Sequence, residues 1–251
     1  MSTLSANDKF GLSVLVPFGF KLSYCTKPSH FMIHTTAILA MSADGKLTDY
    51  SKAPSSFVSK DDQDHLEVQI AQADAVLFGA ETLRAYGTSM SVRSPELIQA
   101  RRDRTQPDQP LQIVCSQSAD LDSSYPFFSQ PIPRGLLTDA AGAVKWGDRP
   151  EFDVVLAAET SPFDWKVIFT ELEELGIKKL ALLGGGQLVG SLFGAGLMNE
   201  LWLTICPLIL GNKLSPTPVA GDGFLIENAP KLQLIQSLVV KDEIFIHYKI
   251  K

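Results

Sequence analysis

Short apolar runs alternate along the chain with stretches of helical periodicity. Apolar runs that are rich in β-branched residues are typical of buried strands. Seven apolar runs lie at residues 31–41, 75–78, 111–115, 135–138, 153–157, 180–183 and 201–206. Most of the intervening segments are long enough for a helix that covers one face of a sheet.

Local signals predict where several of these helices lie. Ser59 followed by Asp62 is typical of a capped helix start, and the apolar side of this helix carries Leu66, Gln69, Ile70 and Ala73 at positions i, i+3, i+4 and i+7. The pair Ser161-Pro162 predicts the opening of another helix, since Pro is favoured at the first helical position. We also predict a short helix over residues 95–103 and one over residues 187–194.

This order of elements predicts an α/β fold. Strands that alternate with helices form a mostly parallel central sheet with helices on both faces. Two apolar runs near the end of the chain, at 232–240 and 243–249, flank Lys241-Asp242 and predict an antiparallel hairpin on one edge. We expect one domain over residues 30–251, preceded by an N-terminal extension over residues 1–29.

Composition and charge narrow the class of protein. The 251 residues carry a formal charge of −6, which argues against a nucleic-acid surface. No run approaches the roughly 20 apolar residues that span a bilayer. The three cysteines, Cys25, Cys115 and Cys206, are far apart and odd in number, which argues against disulfides and a metal site. We therefore expect a cytoplasmic protein with no metal and no membrane or nucleic-acid partner.

A run of three glycines is the clearest chemical signal. Residues 180–183 form a buried strand, Gly184-Gly185-Gly186 follow, and a helical pattern begins at Gln187 or Leu188. Glycine allows close approach of a ligand to the backbone, and a helix N-terminus directs free N–H groups at an anion. The pattern favours a phosphate or pyrophosphate, and hence a nucleotide cofactor. The alternative is a tight strand-to-helix turn without a ligand.

Two further turns follow predicted strands. Residues 42–45 come after the first strand, and residues 79–82 come after the strand at 75–78. In open α/β sheets, ligands bind beyond the carboxyl ends of the strands. If the three strands are neighbours, all three turns line one crevice.

At these turns the chain resembles the reductase domain of riboflavin biosynthesis, a relative of dihydrofolate reductase. The matching segments are residues 40–45, 73–80 with Thr82, 185–186, 199–201 and 207–211. Together they cover about residues 31–250. The resemblance implies a dihydrofolate-reductase-like fold, an NADPH cofactor and a homodimer. It also implies that a ribosylaminopyrimidine 5′-phosphate is reduced to its ribityl form by hydride transfer to the opened ribose C1.

The resemblance also implies roles for particular residues. The cofactor-binding positions are Ala40, Gly79, Thr82, Gly185, Gly186, Gln187 and Leu188. Arg93 corresponds to an arginine expected to hold the substrate phosphate, with Ser42 as a second substrate contact. Asp44 is the candidate catalytic residue, and its alternative is to cap the turn. A water or the substrate's own amine could equally supply the proton.

Some positions depart from the family pattern. Gly184 stands where the family usually has Glu, Tyr86 where it has Asp, and Asn199 where it has Asp, while Ile70 stands near a usual Arg. The chain therefore matches the family better at the cofactor-binding positions than at the substrate-binding positions. Two alternatives stay open: a reductase of the same fold with a different pterin-like or pyrimidine substrate, and a nucleotide-binding protein without turnover. The P-C-x-x-C part of the zinc deaminase signature does not occur, so we expect a stand-alone reductase.

Overall fold

The computed structural model of the protein describes residues 32–251, so the expected extension over residues 1–29 lies outside it. Nine strands of the described residues form one sheet. They are β1 (His34–Ser42), β2 (Ala75–Gly79), β3 (Leu111–Cys115), β4 (Arg134–Asp139), β5 (Val154–Ala158), β6 (Lys179–Leu182), β7 (Glu200–Cys206), β8 (Leu232–Val240) and β9 (Glu243–Ile250). The strand order is β5-β4-β3-β2-β6-β1-β7-β9-β8.

The pairing pattern confirms the predicted fold class. Strands β1 to β7 are parallel to one another, β9 is antiparallel to β7, and β8 is antiparallel to β9. Strands β8 and β9 meet at Val240 and Glu243, so the turn is centred on Lys241-Asp242 as predicted.

Six α-helices connect or follow the strands in the described part of the chain. They are α1 (Lys60–Gln72), α2 (Ala80–Tyr86), α3 (Pro95–Asp103), α4 (Ala140–Trp146), α5 (Trp165–Glu174) and α6 (Gly186–Gly194). Helices α5 and α6 bury residues such as Leu172 and Val189 in one apolar cluster. Helices α1, α2 and α4 bury Ile70, Leu83 and Trp146 in a second cluster. The sheet therefore carries helices on both faces.

One predicted helix start is confirmed, one is wrong, and two helices were not predicted. The Ser59 hydroxyl accepts the Asp62 N–H at 3.1 Å, as predicted for the start of α1. The prediction that Ser161-Pro162 opens a helix is wrong: α5 begins at Trp165, and its cap is Asp164, whose carboxylate accepts the Lys166 N–H at 3.0 Å. Helices α2 and α4, each of seven residues, were not predicted, because two turns carry too little periodicity to stand out.

The short strand β6 creates a notch at the carboxyl edge of the sheet. Leu182 is the last residue of β6 to pair with both neighbours, opposite Ala37 in β1 and Leu77 in β2. Strand β1 continues to Ser42 and β2 to Gly79, beyond the end of β6. The order of strands across the sheet also changes direction at β6, because β2 to β5 lie on one side of it and β1 and β7 lie on the other. Such a reversal is where α/β sheets open a crevice for ligands.

Candidate functional site

The glycine turn lies at the base of this notch. Gly184 and Gly185 have φ values of +112° and +87°, a region that side chains on L-residues rarely adopt. Gly185 is the N-cap of α6 and provides no side-chain cap. The first N–H groups of α6 therefore face the end of β6, where an anion would satisfy them.

The structure brings two of the three predicted turns together and places β1 beside them. A Cβ added at Gly185 would lie 4.0 Å from the Gly79 Cα, so the turns that follow β2 and β6 are adjacent. A Cβ added at Gly184 would lie 3.7 Å from the Leu39 Cδ2 in β1. The notch is therefore bordered by glycine backbone on two sides and by the end of β1 on the third.

The predicted cofactor residues surround this notch. Ala40 is half-buried in the part of β1 that extends beyond β6, and it pairs with Thr204 on its other side. Thr82 is half-buried in the first turn of α2. In the first turn of α6, Gln187 is exposed, whereas Leu188 is buried in the core. Leu188 can therefore offer a ligand its backbone N–H but little of its side chain.

Asp44 and Ser42 are tied into one hydrogen-bonded cluster. The Ser42 hydroxyl, which is fully buried, donates to the Asp44 carboxylate at 2.7 Å and accepts the Lys46 N–H at 3.0 Å. The backbone N–H groups of Leu210 and Gly211 donate to the two oxygens of Asp44 at 3.0 and 2.7 Å. These bonds, led by the one from Ser42, lower the pKa of Asp44 to about 2. Asp44 is therefore an anion near neutral pH.

Arg93 lies at a different place. Its side chain is exposed, and its backbone N–H donates to the Glu67 carboxylate of α1 at 2.6 Å. The Arg93 guanidinium lies 3.8 Å from the Met90 sulfur. These contacts hold Arg93 beside α1 and before α3, and none of them joins it to the glycine turn.

The positions that depart from the family pattern have structural roles. Ile70 is fully buried in the core beneath α1. The Tyr86 hydroxyl accepts the Ser55 N–H at 2.8 Å. Asn199 accepts the Thr35 N–H at 2.8 Å at the start of β1, away from the carboxyl edge. Ile70 and Asn199 therefore supply no polar group at the notch.

Two features near the site were missed in the sequence. Lys46 is the only cationic residue of the turn at 42–46, and its place in a strand-end turn was the available signal. The contact of Asp44 with Leu210 and Gly211 joins residues far apart in the chain, so no local signal could reveal it.

The described residues contain no group of three or more His, Cys, Asp or Glu side chains placed to hold a metal ion. Cys115 and Cys206 are free, and burial raises the pKa of both thiols to about 12, so both are neutral. Across residues 32–251, no helix combines the length and hydrophobicity needed to cross a bilayer.

The order of these elements matches a known family. The model of the RibD C-terminal domain matches residues 34–246. The chain belongs to the RibD C-terminal domain family. This confirms the resemblance drawn from the turn motifs, because the matched range includes all of them.

Relatives in this family carry names from riboflavin biosynthesis. The chain is 26% identical over 197 residues to a 2,5-diamino-6-ribosylamino-4(3H)-pyrimidinone 5′-phosphate reductase of Archaeoglobus fulgidus, covering 74% of this chain and 86% of that protein. It is 24% identical over 214 residues to the reductase of the same name from Methanothermobacter thermautotrophicus, covering 84% of this chain and 95% of that protein. Both matches span most of the relative.

A solved structure has a similar fold. A pyrimidine reductase-like protein from Corynebacterium diphtheriae superposes with a TM-score of 0.72 at 24% identity. The match covers 87% of this chain and 92% of that protein. The mostly parallel sheet with its terminal hairpin is thus shared at low sequence identity.

Proposed function

We propose that this chain is a cytoplasmic, NADPH-dependent reductase of riboflavin biosynthesis. It reduces the ribosyl group of a ribosylaminopyrimidine 5′-phosphate to ribityl. The observation that carries the proposal is the meeting of the turns after β2 and β6, beside β1, at the N-terminus of α6, where Gly79, Gly184 and Gly185 carry no side chains. Membership of the RibD C-terminal family and the names of the relatives support the substrate class.

The residues of the notch suit a nicotinamide nucleotide. Backbone N–H groups of Gly186, Gln187 and Leu188 would bind the pyrophosphate, because the helix N-terminus favours negative charge. Gly79, at the end of β2, and Thr82, in the first turn of α2, would border the pyrophosphate. Ala40, in the part of β1 beyond β6, would flank the nicotinamide ring. The cofactor supplies the hydride, and the protein supplies orientation and electrostatics.

Asp44 then acts as an anion that positions groups, since its pKa of about 2 prevents it from donating a proton near neutral pH. Reduction of the opened ribose needs a proton at the product oxygen or nitrogen. We propose Lys46 as the donor, because it is the cationic residue of the turn at 42–46, which its backbone N–H bond to the Ser42 hydroxyl helps to fix. Ser42 orders this turn through both of its hydroxyl bonds.

We propose that Arg93 binds the substrate phosphate. A guanidinium matches phosphate geometry, and in the described residues no carboxylate forms an ion pair with Arg93.

We expect Arg93→Ala to raise the substrate KM about tenfold and to leave the NADPH KM within about twofold. Steady-state kinetics with each ligand varied in turn measure both constants. The control is Arg102→Ala, which removes an exposed arginine paired with Asp108 at 2.6 Å. An equal rise in both KM values would remove Arg93 from the substrate site.

We propose that the protein is a homodimer that pairs through β8. This strand lies at the edge of the sheet, and eight of its nine residues are exposed. Its apolar residues include Leu234, Ile235, Leu238 and Val239, with exposed fractions of 55%, 51%, 46% and 76%. A long apolar edge strand invites association, and a second copy presents the same surface in a self-complementary way.

The dimer has a direct mutational test. We expect light scattering to give the mass of two 27.4 kDa chains for the wild type and of one chain for Leu238→Lys, because a charge at the paired edge is costly to bury. Val144→Lys is the control, since Val144 is 82% exposed on α4. A single-chain wild type, or a Leu238→Lys variant that stays dimeric, would contradict pairing through β8.

A second candidate follows from the departures on the substrate side. Ile70 lies in the core and the Tyr86 hydroxyl is bonded to Ser55, so neither offers the substrate the charged group that the family usually has at these positions. This favours a reductase of the same fold with a different pyrimidine or a pterin-like substrate. A substrate polar group that is buried without its partner costs on the order of 1–3 kcal/mol of binding free energy.

Turnover decides between these candidates. The purified protein is mixed with NADPH and, separately, with the diaminopyrimidinone substrate or its deaminated form. NADPH oxidation with either one supports the riboflavin reductase and identifies the branch. Tight NADPH binding with no oxidation by either would favour another substrate or a nucleotide-binding protein without turnover.

A further inference from the structure

A long segment after β7 is seated against the notch from the outside. We define this strap as residues 207–221. Its Ala220 N–H donates to the Gly186 carbonyl at 2.9 Å, and its Pro216 carbonyl accepts the Leu47 N–H at 2.8 Å. The strap therefore joins the first turn of α6 to the residues that follow β1.

Two glycines of α6 allow the strap to pack closely against this helix. A Cβ added at Gly186 would overlap the carbonyl oxygen of Thr217, and a Cβ added at Gly190 would overlap that of Ala220. Gly186 and Gly190 are four residues apart and so share one face of the helix. The atoms they admit are backbone atoms, which cannot move without moving the strap.

The other end of the strap is held by hydrogen bonds to the Asp44 carboxylate and to the backbone of Ala43. The Asp44 carboxylate accepts the N–H groups of Leu210 and Gly211, and the Ala43 N–H donates to the Leu208 carbonyl at 2.9 Å. The strap is thus fixed at both ends by residues next to the notch. Near α6, a Cβ on Gly221 would lie 3.6 Å from the Gln187 side-chain oxygen, so the strap reaches the residue whose N–H is offered to the pyrophosphate.

We propose that Gly190 is a positioning residue for the nicotinamide nucleotide. By admitting the strap against α6, it holds the strap as an outer wall of the cofactor site. Gly190 itself lies one turn beyond the first residue of the helix, so its effect on the ligand passes through Ala220 and the strap. This inference rests on the proposed function, because it takes the notch to be the nucleotide site.

The test compares two alanine variants of the same helix. Gly190→Ala forces the strap away from α6, whereas a Cβ at Gly194 would meet nothing within 4 Å. We expect Gly190→Ala to raise the NADPH Kd about tenfold in a fluorescence titration, with kcat at saturating NADPH within about twofold of wild type. Gly194→Ala should match the wild type in both. Thermal melts of the two variants check that each is folded.

A second readout reports the strap without any catalysis. Lys213 is the only Lys or Arg in the strap, and it is exposed. We expect trypsin to cut after Lys213 faster in Gly190→Ala than in Gly194→Ala, and NADPH to slow the cut in the wild type. This comparison holds even if Gly190→Ala is less stable, because cleavage at Lys213 is scored against cleavage elsewhere in the same chain.

The outcomes separate the two claims. A wild type that binds no NADPH contradicts the proposed function and this inference with it. A wild type that binds NADPH, with equal Kd and equal Lys213 cleavage in the two variants, contradicts the role of Gly190 alone.

Discussion

Gly185→Ala is expected to weaken NADPH binding by about ten- to a hundredfold, equivalent to roughly 1.4–2.8 kcal/mol. The added Cβ would lie 3.6 Å from the Leu188 Cβ and 4.0 Å from the Gly79 Cα, so the protein itself has room for it. That room is the space between the two turns in which the pyrophosphate would bind. The measurement is the Kd for NADPH from a titration of the purified variant.

The positive φ of Gly185 requires a matched control. Any side chain at a φ of +87° carries backbone strain, at a cost of about 1–2 kcal/mol. Gly176, which follows α5, has a φ of +81° and no neighbour within 4 Å of an added Cβ. Gly176→Ala should therefore lose similar stability and keep full affinity. Equal affinity in the two variants would contradict binding of the phosphates at Gly185.

Asp44→Asn is expected to lower kcat/KM about tenfold or more. The amide can accept the Leu210 N–H or the Gly211 N–H through its oxygen, but its NH2 group then faces the other donor. The strap and the turn that carries Lys46 lose their common anchor at the same time. Steady-state kinetics measure the loss. Asp122→Asn is the control, because Asp122 is exposed and bonds only locally to Ser124. An Asp44→Asn enzyme with wild-type kinetics would show that this anchor does not matter.

The pH dependence of Asp44 follows from its lowered pKa. A carboxylate with a folded pKa of about 2, below the ordinary 3.8, stabilises the fold fully above the ordinary value. That contribution is lost as the pH falls through about 2. The rate profile between about pH 5 and 9 should therefore carry no limb from Asp44, and any limb there belongs to another group.

The strands and the glycine turn could be predicted because their signals are local. Each of β2, β3 and β6 is a short apolar run, and the glycines stand directly after one of them. The notch could not be predicted, since it depends on how far β6 reaches relative to β1 and β2. That difference is set by pairing between residues more than a hundred positions apart.

The roles of individual glycines were also beyond the sequence. The three glycines at 184–186 resemble one ligand-binding run, yet the structure divides them. Gly184 and Gly185 have positive φ and face the notch, whereas Gly186 lacks a side chain because the strap occupies that space. Nothing local distinguishes Gly190 from Gly194, since only the folded neighbour at Ala220 separates them. Ile70, considered as a substrate position, belongs to the core.

The central claim is that a hydride passes from NADPH bound at this notch to the ribose carbon of the substrate. The most direct measurement is the mass of the pyrimidine product formed with NADPH deuterated at nicotinamide C4, prepared separately in each of its two stereochemical forms. The account predicts a ribityl product that carries one deuterium at C1 from one form and none from the other. A ribityl product without deuterium from both forms, or no product beside tight NADPH binding, would contradict it.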